Sequence, residues 1–343
     1  MKHLETILAS LDGSVRRECN KFSPAGKAYF IDTKEIKGIY WSYKTVSFCI
    51  NIHHFFLKED VIVHPSMDDA SNHISSTYVL MGSGKYLNTY QAISTNTMFV
   101  LSSDRTDARF LLRKDYPYFS IGIDFKEEMI EQYLSDQRIL REVRVSDIFF
   151  DTRERVTRPM EKLANEILNC QMDSPSANLF FEAKAKEWLS ITLNEFASTS
   201  KQPPLPQSDK ESISNVTDYI NEHYSSELSQ ELLEKIAMMS GTRLKNCFKK
   251  THQMSITEYI QRKRMTIAEN LLLTTELGIV DVAKSVGYHS HSRFSALFKR
   301  YKGVYPKEIR RWVGKEKPLI CPCNEETKAC CQLFQVKKQT SQD

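Results

Sequence analysis

Residues 279–310 read IVDVAKSVGYHSHSRFSALFKRYKGVYPKEIR, which predicts two short helices joined by a tight turn. The first helix carries apolar side chains at i, i+1 and i+4 and ends at Gly287, which can adopt positive φ without strain. Ser290 or Ser292 is expected to cap the second helix, which buries Phe294. A second helix with a polar and basic outer face can enter a major groove of DNA. The outward positions are His291, Ser292, Arg293, Ser295, Ala296 and Lys299.

The same pattern occurs earlier in the chain, which therefore carries two helix-turn-helix candidates, at about 229–250 and 279–300. In the earlier copy Leu244, Cys247 and Phe248 form an apolar stripe at i, i+3 and i+4. An apolar pattern between the copies predicts a long helix that fixes their separation. Asn can pair with adenine through two hydrogen bonds, and Lys can reach guanine or a phosphate. The outward positions of the earlier copy are Thr242, Arg243, Lys245, Asn246 and Lys249.

Basic charge is concentrated in the same part of the chain. Residues 210–317 contain 19 Lys/Arg and 12 Asp/Glu, whereas the remaining residues contain 28 and 31. The densest basic runs are 262–264 and 299–302; Arg264 is read as a structural ion-pair partner and others as phosphate contacts. Concentrated basic charge of this kind is what phosphate neutralisation requires, so the charge favours DNA as the partner.

The length of 343 residues and the composition shifts predict several domains. Residues 200–209 (SKQPPLPQSD) contain three prolines and predict a semi-rigid linker. Residues 1–125 are predicted to be β-rich, because short β-branched and aromatic runs recur there, and 126–199 to be helical. The predicted fold class is α+β, with a small β-barrel or sandwich, a helical segment and an all-α C-terminal domain. The individual strand predictions are 40–52, 97–103, 108–113 and 118–125, and 77–87 is predicted to be a strand, a glycine-bearing turn and another strand.

Residues 210–314 form the predicted DNA-binding domain, and 211–314 resemble the C-terminal domain of AraC-type (AraC/XylS) transcription regulators. The matching residues are Tyr219, Ser240, Leu244, Phe248, Lys249, Tyr259, Arg264, Ala268, Leu271, Leu272, Ile279, Val282, Ala283, Val286, Gly287, Tyr288, Ser292, Phe294, Phe298, Lys299, Gly303, Pro306 and Arg310.

The resemblance implies seven helices and two recognition helices that enter successive major grooves. The chain departs from the family pattern at Glu234, where a small residue is usual, and at Met238, where a turn glycine is usual. Ala296 offers no hydrogen bond, so Arg293 is expected to read bases together with its neighbours on the second helix. The base-reading positions implied by the resemblance are Thr242, Lys245, Asn246, His291, Ser292, Ser295 and Ala296.

The resemblance also implies a cupin-like barrel in residues 1–125 that binds an effector, mediates dimerisation, or does both. Residues 126–199 are then a dimerisation or connector segment. Ala183, Lys184 and Glu187 are similar to positions in regulators of siderophore uptake, so a siderophore or similar molecule is the expected effector. The expected partners are promoter DNA, RNA polymerase and a second copy of the chain.

Residues 315–343 form a tail in which four cysteines lie within eleven positions. Four nearby thiols can hold zinc or another soft metal, or form a redox pair, but this spacing matches no common zinc ribbon. The alternatives are therefore a metal- or redox-responsive regulator and a tail whose thiols have no specific role. The candidate ligands are Cys321, Cys323, Cys330 and Cys331.

The histidines of the β-rich part do not have the spacing of a cupin metal site. His53 and His54 are adjacent, so they are expected to point to opposite faces of a strand. Ordinary surface or core histidines are therefore favoured over metal ligands, and no other cofactor is predicted.

Two other function classes compete with regulation. An alkyl-transfer enzyme coupled to an AraC-like region would need an activated thiolate, but Glu325 lies close to Cys323 and disfavours one. No phosphate-binding glycine loop or nucleophile elbow is present in the sequence, so no enzyme is predicted. A passive architectural module is the other class.

No secretory signal or apolar stretch of membrane-spanning length occurs, which with free thiols indicates the cytoplasm. The predicted function is therefore a sequence-specific bacterial transcription regulator, an effector-responsive activator.

Overall fold

The structure is a computed structural model. It describes residues 21–63, 73–87, 92–102, 109–134, 143–153, 155–200, 205–252 and 254–314. The chain divides into two compact units, one ending at Asn194 and the other spanning Glu195–Glu316. The first unit combines β-sheet with helices and the second is helical, so the predicted α+β class is confirmed.

The strands of the first unit pair in two antiparallel sheets. They are β1 (Lys27–Asp32), β2 (Ile36–Lys44), β3 (Phe48–Leu57), β4 (Val61–Val63), β5 (His73–Met81), β6 (Ser83–Tyr86), β7 (Ala92–Ser94), β8 (Thr97–Ser102), β9 (Phe110–Leu112) and β10 (Tyr116–Lys126). The larger sheet has the order β1-β2-β3-β10-β5-β8, and the smaller has the order β4-β9-β6-β7. The described strands thus form two sheets rather than one continuous ring, and a closed barrel stays a prediction.

One face of the larger sheet is apolar and is covered by helices. The helices of this part are α1 (Glu127–Leu134), α2 (Val145–Thr152), α3 (Thr157–Leu168) and α4 (Ser176–Ser200). The ring of Phe181 lies 5.7 Å from Trp41 and 4.7 Å from Tyr43. The indole of Trp188 donates a hydrogen bond of 3.0 Å to the Ser76 hydroxyl. Buried aromatic rings, with their polar atoms satisfied, therefore anchor α4 on this face.

The opposite face of the larger sheet is divided into an apolar half and a polar half. Phe55, Val79 and Tyr118 belong to the apolar half and share a buried cluster with Val61 and Phe110 of the smaller sheet. Because alternate residues of a strand share a face, the strand pairings assign the polar half to that same face. We call this half the polar patch; it consists of Tyr40, Cys49, Asn51, His53, Ser75, Thr77, Ser120 and Asp124.

Three helices of the second unit begin at a serine cap. The helices of this unit are α5 (Gln207–His223), α6 (Gln230–Ala237), α7 (Gly241–His252), α8 (Ile256–Thr274), α9 (Ile279–Ser285), α10 (His291–Lys302) and α11 (Pro306–Gly314). The hydroxyls of Ser229, Ser255 and Ser290 accept backbone N–H bonds at the starts of α6, α8 and α10. Side-chain capping of this kind satisfies the unpaired N–H groups of a first turn.

The core of the second unit is built around α8, which is 19 residues long and therefore spans roughly 28 Å. Leu233, Leu244 and Phe248 pack with α5 in one apolar cluster. Met265, Ala268 and Leu272 of α8 are fully buried.

Two boundaries differ from those predicted, and the end of one predicted helix lies outside the described residues. Helix α5 begins at Gln207, inside the predicted linker 200–209, because Asp209 is buried against α7 and so belongs to the folded unit. The single strand predicted over 40–52 is a hairpin, in which Thr45 closes the turn through hydrogen bonds with Phe48. The helix predicted after residue 126 is described as far as Leu134. None of the helices in the described ranges is long and apolar enough to cross a lipid bilayer.

Candidate nucleic-acid interface

Helix α7 separates an apolar inner face from a polar outer face. Leu244, Cys247 and Phe248 are buried, as their i, i+3, i+4 spacing predicted. The predicted contact positions on this helix all lie on its exposed face, where three cationic side chains and an amide can meet a ligand. These exposed residues are Thr242, Arg243, Lys245, Asn246 and Lys249.

The turn between α6 and α7 places the two helices in close contact. Met238 ends α6 in the left-handed conformation with φ 51°, and its side chain is exposed. A Cβ added to Gly241 would lie 2.2 Å from Glu234 Oε1, so a larger residue at this position would require the Glu234 side chain to move. Both family departures in the sequence, Glu234 and Met238, therefore bear on this one turn.

Helix α10 has the same organisation. Ser290, one of the two predicted caps, accepts a hydrogen bond of 3.3 Å from the Arg293 N–H. Phe294 and Phe298 are fully buried. His291, Ser292, Arg293 and Ala296 are exposed, whereas Ser295 and Lys299 are half-buried. The first turn of α10 therefore offers more accessible polar groups than its second.

Two of the predicted contact residues have partners within the protein. The guanidinium of Arg243 lies 2.7 Å from Asp209 Oδ1, although more than half of its side-chain surface is exposed. The ammonium of Lys299 lies 4.3 Å from the centre of the Tyr305 ring, a distance typical of a cation–π contact. Both cations remain at the surface, where their free donors can reach a ligand.

The basic runs 262–264 and 299–302 contain structural residues as well as surface cations. Arg264 donates to the backbone carbonyls of Tyr224 (2.6 Å) and Ser226 (2.8 Å), so it stabilises loops rather than pairing with a carboxylate. Lys302 is buried and pairs with Glu269 of α8 at 2.9 Å. Arg262 pairs with Glu258 one turn away at 3.0 Å. The basic excess of this unit is thus smaller at the surface than the residue count suggests.

The polar patch of the first unit is linked by hydrogen bonds. The hydroxyl of Tyr40 donates to Asn51 Oδ1 at 2.6 Å, and the amide nitrogen of Asn51 donates to Asp124 Oδ2 at 2.5 Å. His53 Nδ1 lies 3.2 Å from the Ser120 hydroxyl, and the His53 ring stacks on Tyr40 with centroids 5.3 Å apart. Polar and aromatic groups therefore meet on one face of the larger sheet.

Several side chains of the polar patch, among them Tyr40, His53 and Asp124, are half-buried. Burial lowers the pKa of the His53 imidazole to about 4, so this ring is neutral near pH 7. Burial also raises the pKa of the Asp124 carboxyl, although hydrogen bonds from Ser75 and Asn51 oppose that shift. Burial raises the pKa of the Cys49 thiol, which disfavours a reactive thiolate there.

The structure bears only partly on the metal predictions. In the described ranges, no group of three or more His, Cys, Asp or Glu side chains is arranged to hold a metal ion. The candidate ligands Cys321, Cys323, Cys330 and Cys331 lie outside the described residues. Lys184, one of the positions similar to siderophore regulators, pairs with Glu187 at 2.9 Å and with Glu166 of α3. Its role in the described structure is therefore to join α3 and α4.

Comparison with known proteins gives matches to both units. Residues 233–311 match a family model described as a helix-turn-helix domain, and residues 48–207 match the N-terminal domain of the regulatory protein PchR. The regulatory protein SoxS of Salmonella typhimurium is 31% identical over 98 residues, which cover 29% of this chain and 92% of that relative. The chain belongs to the AraC family of transcription regulators.

A second AraC-family relative extends the similarity beyond the DNA-binding region. The Msm operon regulatory protein of Streptococcus mutans is 25% identical over 245 residues, which cover 68% of this chain and 82% of that relative. The C-terminal unit is therefore the DNA-binding domain of a sequence-specific transcription regulator, and α7 and α10 supply its outward polar faces.

A third relative bears on the enzyme alternative. The bifunctional transcriptional activator/DNA repair enzyme AdaA of Bacillus subtilis is 32% identical over 103 residues, covering 30% of this chain. The chain spans only 49% of the length of AdaA and about a third of some other curated relatives, so activities of the rest of those proteins do not carry over. The other relatives described above are transcriptional regulators.

Sequence reasoning missed two residues that shape this AraC-type interface. Asp209 was assigned to the linker, yet its carboxylate meets Arg243 of α7. Lys302 was assigned to a basic run, yet it is buried against Glu269. The available signal was position: Asp209 lies at the start of a helical pattern, and Lys302 immediately follows the buried Tyr301.

Proposed function

We propose that the chain is an effector-responsive transcription activator, in which α7 and α10 are two helix-turn-helix reading helices that enter successive major grooves. The observation that carries the proposal is the pair of outward polar faces on α7 and α10. In the chain, α7 precedes the long helix α8 and α10 follows it. Two reading helices held by one stiff connector can engage one face of a duplex at two places.

The chemistry of the exposed side chains supports base reading by both helices. The amide nitrogen of Asn246 can donate to N7 of adenine while its amide oxygen accepts from the N6 amino group, and Lys245 can donate to guanine O6 or N7. On α10 the exposed residues of the first turn, His291, Ser292 and Arg293, occupy the end of the helix that usually contacts base edges. Lys249 and Lys299 then supply phosphate contacts.

The first unit is proposed as the sensor. The polar patch offers a neutral imidazole, a carboxyl, an amide and hydroxyls beside an apolar cluster, which is the usual composition of a small-molecule site. The match of residues 48–207 to a regulatory N-terminal domain supports the same assignment. A siderophore or similar molecule is the proposed effector, in a cupin-like barrel closed by the two sheets. RNA polymerase, a second copy of the chain and a cytoplasmic location belong to the same proposal.

Selection of bound duplexes from a random pool, followed by variants of α7, tests the reading helices. Asn246→Ala should lower the preference for the selected duplex over an unrelated one by roughly 5- to 150-fold, which corresponds to about 1–3 kcal/mol. Lys250→Ala, also on the exposed surface of α7, should weaken both duplexes equally and so serves as the matched control. If Asn246→Ala also weakened both duplexes equally, α7 would not read bases as proposed.

A thermal-shift screen of the whole chain against iron chelates and small polar metabolites tests the sensor. A true effector should raise the melting temperature of the natural chain and should fail to do so for Asn51→Leu, which removes the link between Tyr40 and Asp124. Val46→Ala, on the exposed turn after β2, is the control and should retain the shift. A shift that survives in Asn51→Leu would remove the polar patch from the binding site, and a screen without any shift would contradict sensing by these compound classes.

A further inference from the structure

The carboxylate of Asp209 directs both of its oxygens at the first reading helix. Oδ1 lies 2.7 Å from an Arg243 guanidinium nitrogen, and Oδ2 lies 3.5 Å from the Cys247 sulfur, one turn further along α7. The Asp209 side chain is 7% exposed, whereas the Arg243 side chain is 58% exposed. A buried anion therefore holds the inner edge of a cation that otherwise lies at the outer surface of α7.

This arrangement leaves most of the guanidinium available. Arginine carries five N–H donors in a planar fork, and one nitrogen bonded to Asp209 leaves the remaining donors for a guanine edge or a phosphate. A cation already fixed by a buried carboxylate loses less conformational freedom when it binds than a flexible side chain does. Among the described residues, no carboxylate lies within ion-pair distance of the neighbouring cations Lys245 and Lys249.

Asp209 is also the residue that connects this cation to the rest of the chain. It is the third residue of α5 and follows directly on the proline-containing segment 203–206. Its backbone N–H donates to the Pro206 carbonyl at 3.0 Å, which fixes the first turn of α5. A change in the position of this first turn would therefore move the carboxylate that holds Arg243.

We propose that Asp209 is a positioning residue for DNA recognition, which holds the Arg243 guanidinium in place for a specific contact and links the start of α5 to the first reading helix. The proposal rests on the proposed function of α7. The proposed function requires only that α7 has an exposed polar face. The positioning role adds that the buried carboxylate of Asp209, which lies outside that face, determines how well Arg243 reads DNA.

The test measures the affinity of the full chain for its selected duplex and for an unrelated duplex at several salt concentrations. Asp209→Asn should lower the preference for the selected duplex about tenfold, because the guanidinium loses its fixed orientation. Arg243→Lys should cause a similar loss, since lysine lacks the planar fork. The double variant should lose no more than either single variant, because both changes remove one interaction. Asp209→Glu should restore part of the preference.

Glu211→Gln is the matched control, because it removes one negative charge from the exposed side of the same helix. It should leave the preference unchanged. If Asp209→Asn and Glu211→Gln alter the affinity for both duplexes alike, Asp209 acts only through its charge and the proposal is overturned. If Asp209→Asn lowers the melting temperature but leaves the preference unchanged, the pair is only a structural link between α5 and α7, which also overturns it.

Two further readouts keep the outcome decisive. Should Asp209→Asn fail to fold, Arg243→Lys alone decides, because Arg243 is mostly exposed and its replacement leaves the core intact; an unchanged preference in that variant would refute the proposal. Asn246→Ala in the same assay separates a failure of the proposed function of α7 from a failure of the positioning role of Asp209. If Asn246→Ala lowers the preference while Arg243→Lys does not, the reading helix is correct and the positioning role is wrong. If neither variant lowers it, the proposed function of α7 fails first.

Discussion

Replacement of Lys302 by methionine tests how α10 is held on the central helix α8. Lys302 ends α10, and its ammonium lies 2.9 Å from Glu269 Oε2 of α8, with side-chain exposures of 2% and 6%. Methionine has a similar length but no charge, so the substitution removes the cation and leaves the carboxylate in a buried environment. Loss of one partner from a buried ion pair costs about 3–5 kcal/mol.

The expected change is large enough to separate this pair from a surface pair. For a domain of this size, about 3 kcal/mol lowers the melting temperature by more than about 10 °C. Arg262→Met is the control, because it breaks an ion pair with Glu258 within the same central helix. The side chains of Arg262 and Glu258 are 27% and 31% exposed. An exposed pair of this kind contributes about 0–1 kcal/mol, so the control should shift the transition only slightly.

Calorimetry of the full chain, with and without its DNA duplex, measures the effect, because the duplex identifies the transition of the DNA-binding unit by raising it. The double variant Lys302→Met with Glu269→Leu should regain most of the lost stability, since a buried ion pair can often be replaced by apolar residues of similar volume. Equal small shifts for Lys302→Met and Arg262→Met would refute the reasoning. A double variant as unstable as Lys302→Met would mean that the methionine itself, rather than the loss of the ion pair with Glu269, is responsible.

Three further predictions concern other parts of the chain. Met238→Gly should raise the free energy of unfolding by about 1 kcal/mol, because φ 51° is strained for a residue with a Cβ. Met238→Ala is the control, and equal calorimetric transitions for the two variants would contradict a strained backbone at this position. Since burial lowers the pKa of His53 to about 4, below its ordinary 6.5, the unfolded chain binds a proton in that interval that the folded chain does not. Stability should therefore fall as pH decreases from about 6.5 towards 4, and His53→Gln should flatten that slope in urea titrations; an unchanged slope would argue against a buried neutral ring. We also propose that the cysteines of the tail 315–343 bind a soft metal, so the purified chain should contain zinc in a fixed ratio by elemental analysis. Replacement of all four cysteines by serine should abolish that ratio, whereas the control Cys170→Ser should leave it unchanged. A natural chain without stoichiometric metal would contradict the proposal.

Helices α7 and α10 were predictable because local rules determine them. Leu244, Phe248, Phe294 and Phe298 are buried at the spacing that their sequence pattern requires, and Ser290 caps α10 as one of two predicted candidates. These features depend on residues within one or two turns of each other. A single sequence is informative at that range.

Contacts between distant residues were not predictable in the same way. Arg264 reaches carbonyls 38 and 40 residues away, and Lys302 meets a carboxylate 33 residues away, so neither role leaves a mark in the neighbouring sequence. The polar patch, in contrast, is visible in the local sequence. In β3 the polar residues Cys49, Asn51 and His53 alternate with isoleucines, which indicates that one face of the strand is polar.

The two departures of the first helix-turn-helix have different physical consequences. Glu234 is larger than the residue that the family resemblance implies there, but its carboxylate occupies the space that a side chain at position 241 would need, and Gln230 donates to it at 2.6 Å. Gly241 thus accommodates the added bulk across the turn. Met238 has no such compensation, because a positive φ strains any residue with a Cβ and its exposed side chain gains little burial in return. Helix α7 therefore keeps its packing, and the strain lies in the backbone of the turn that precedes it.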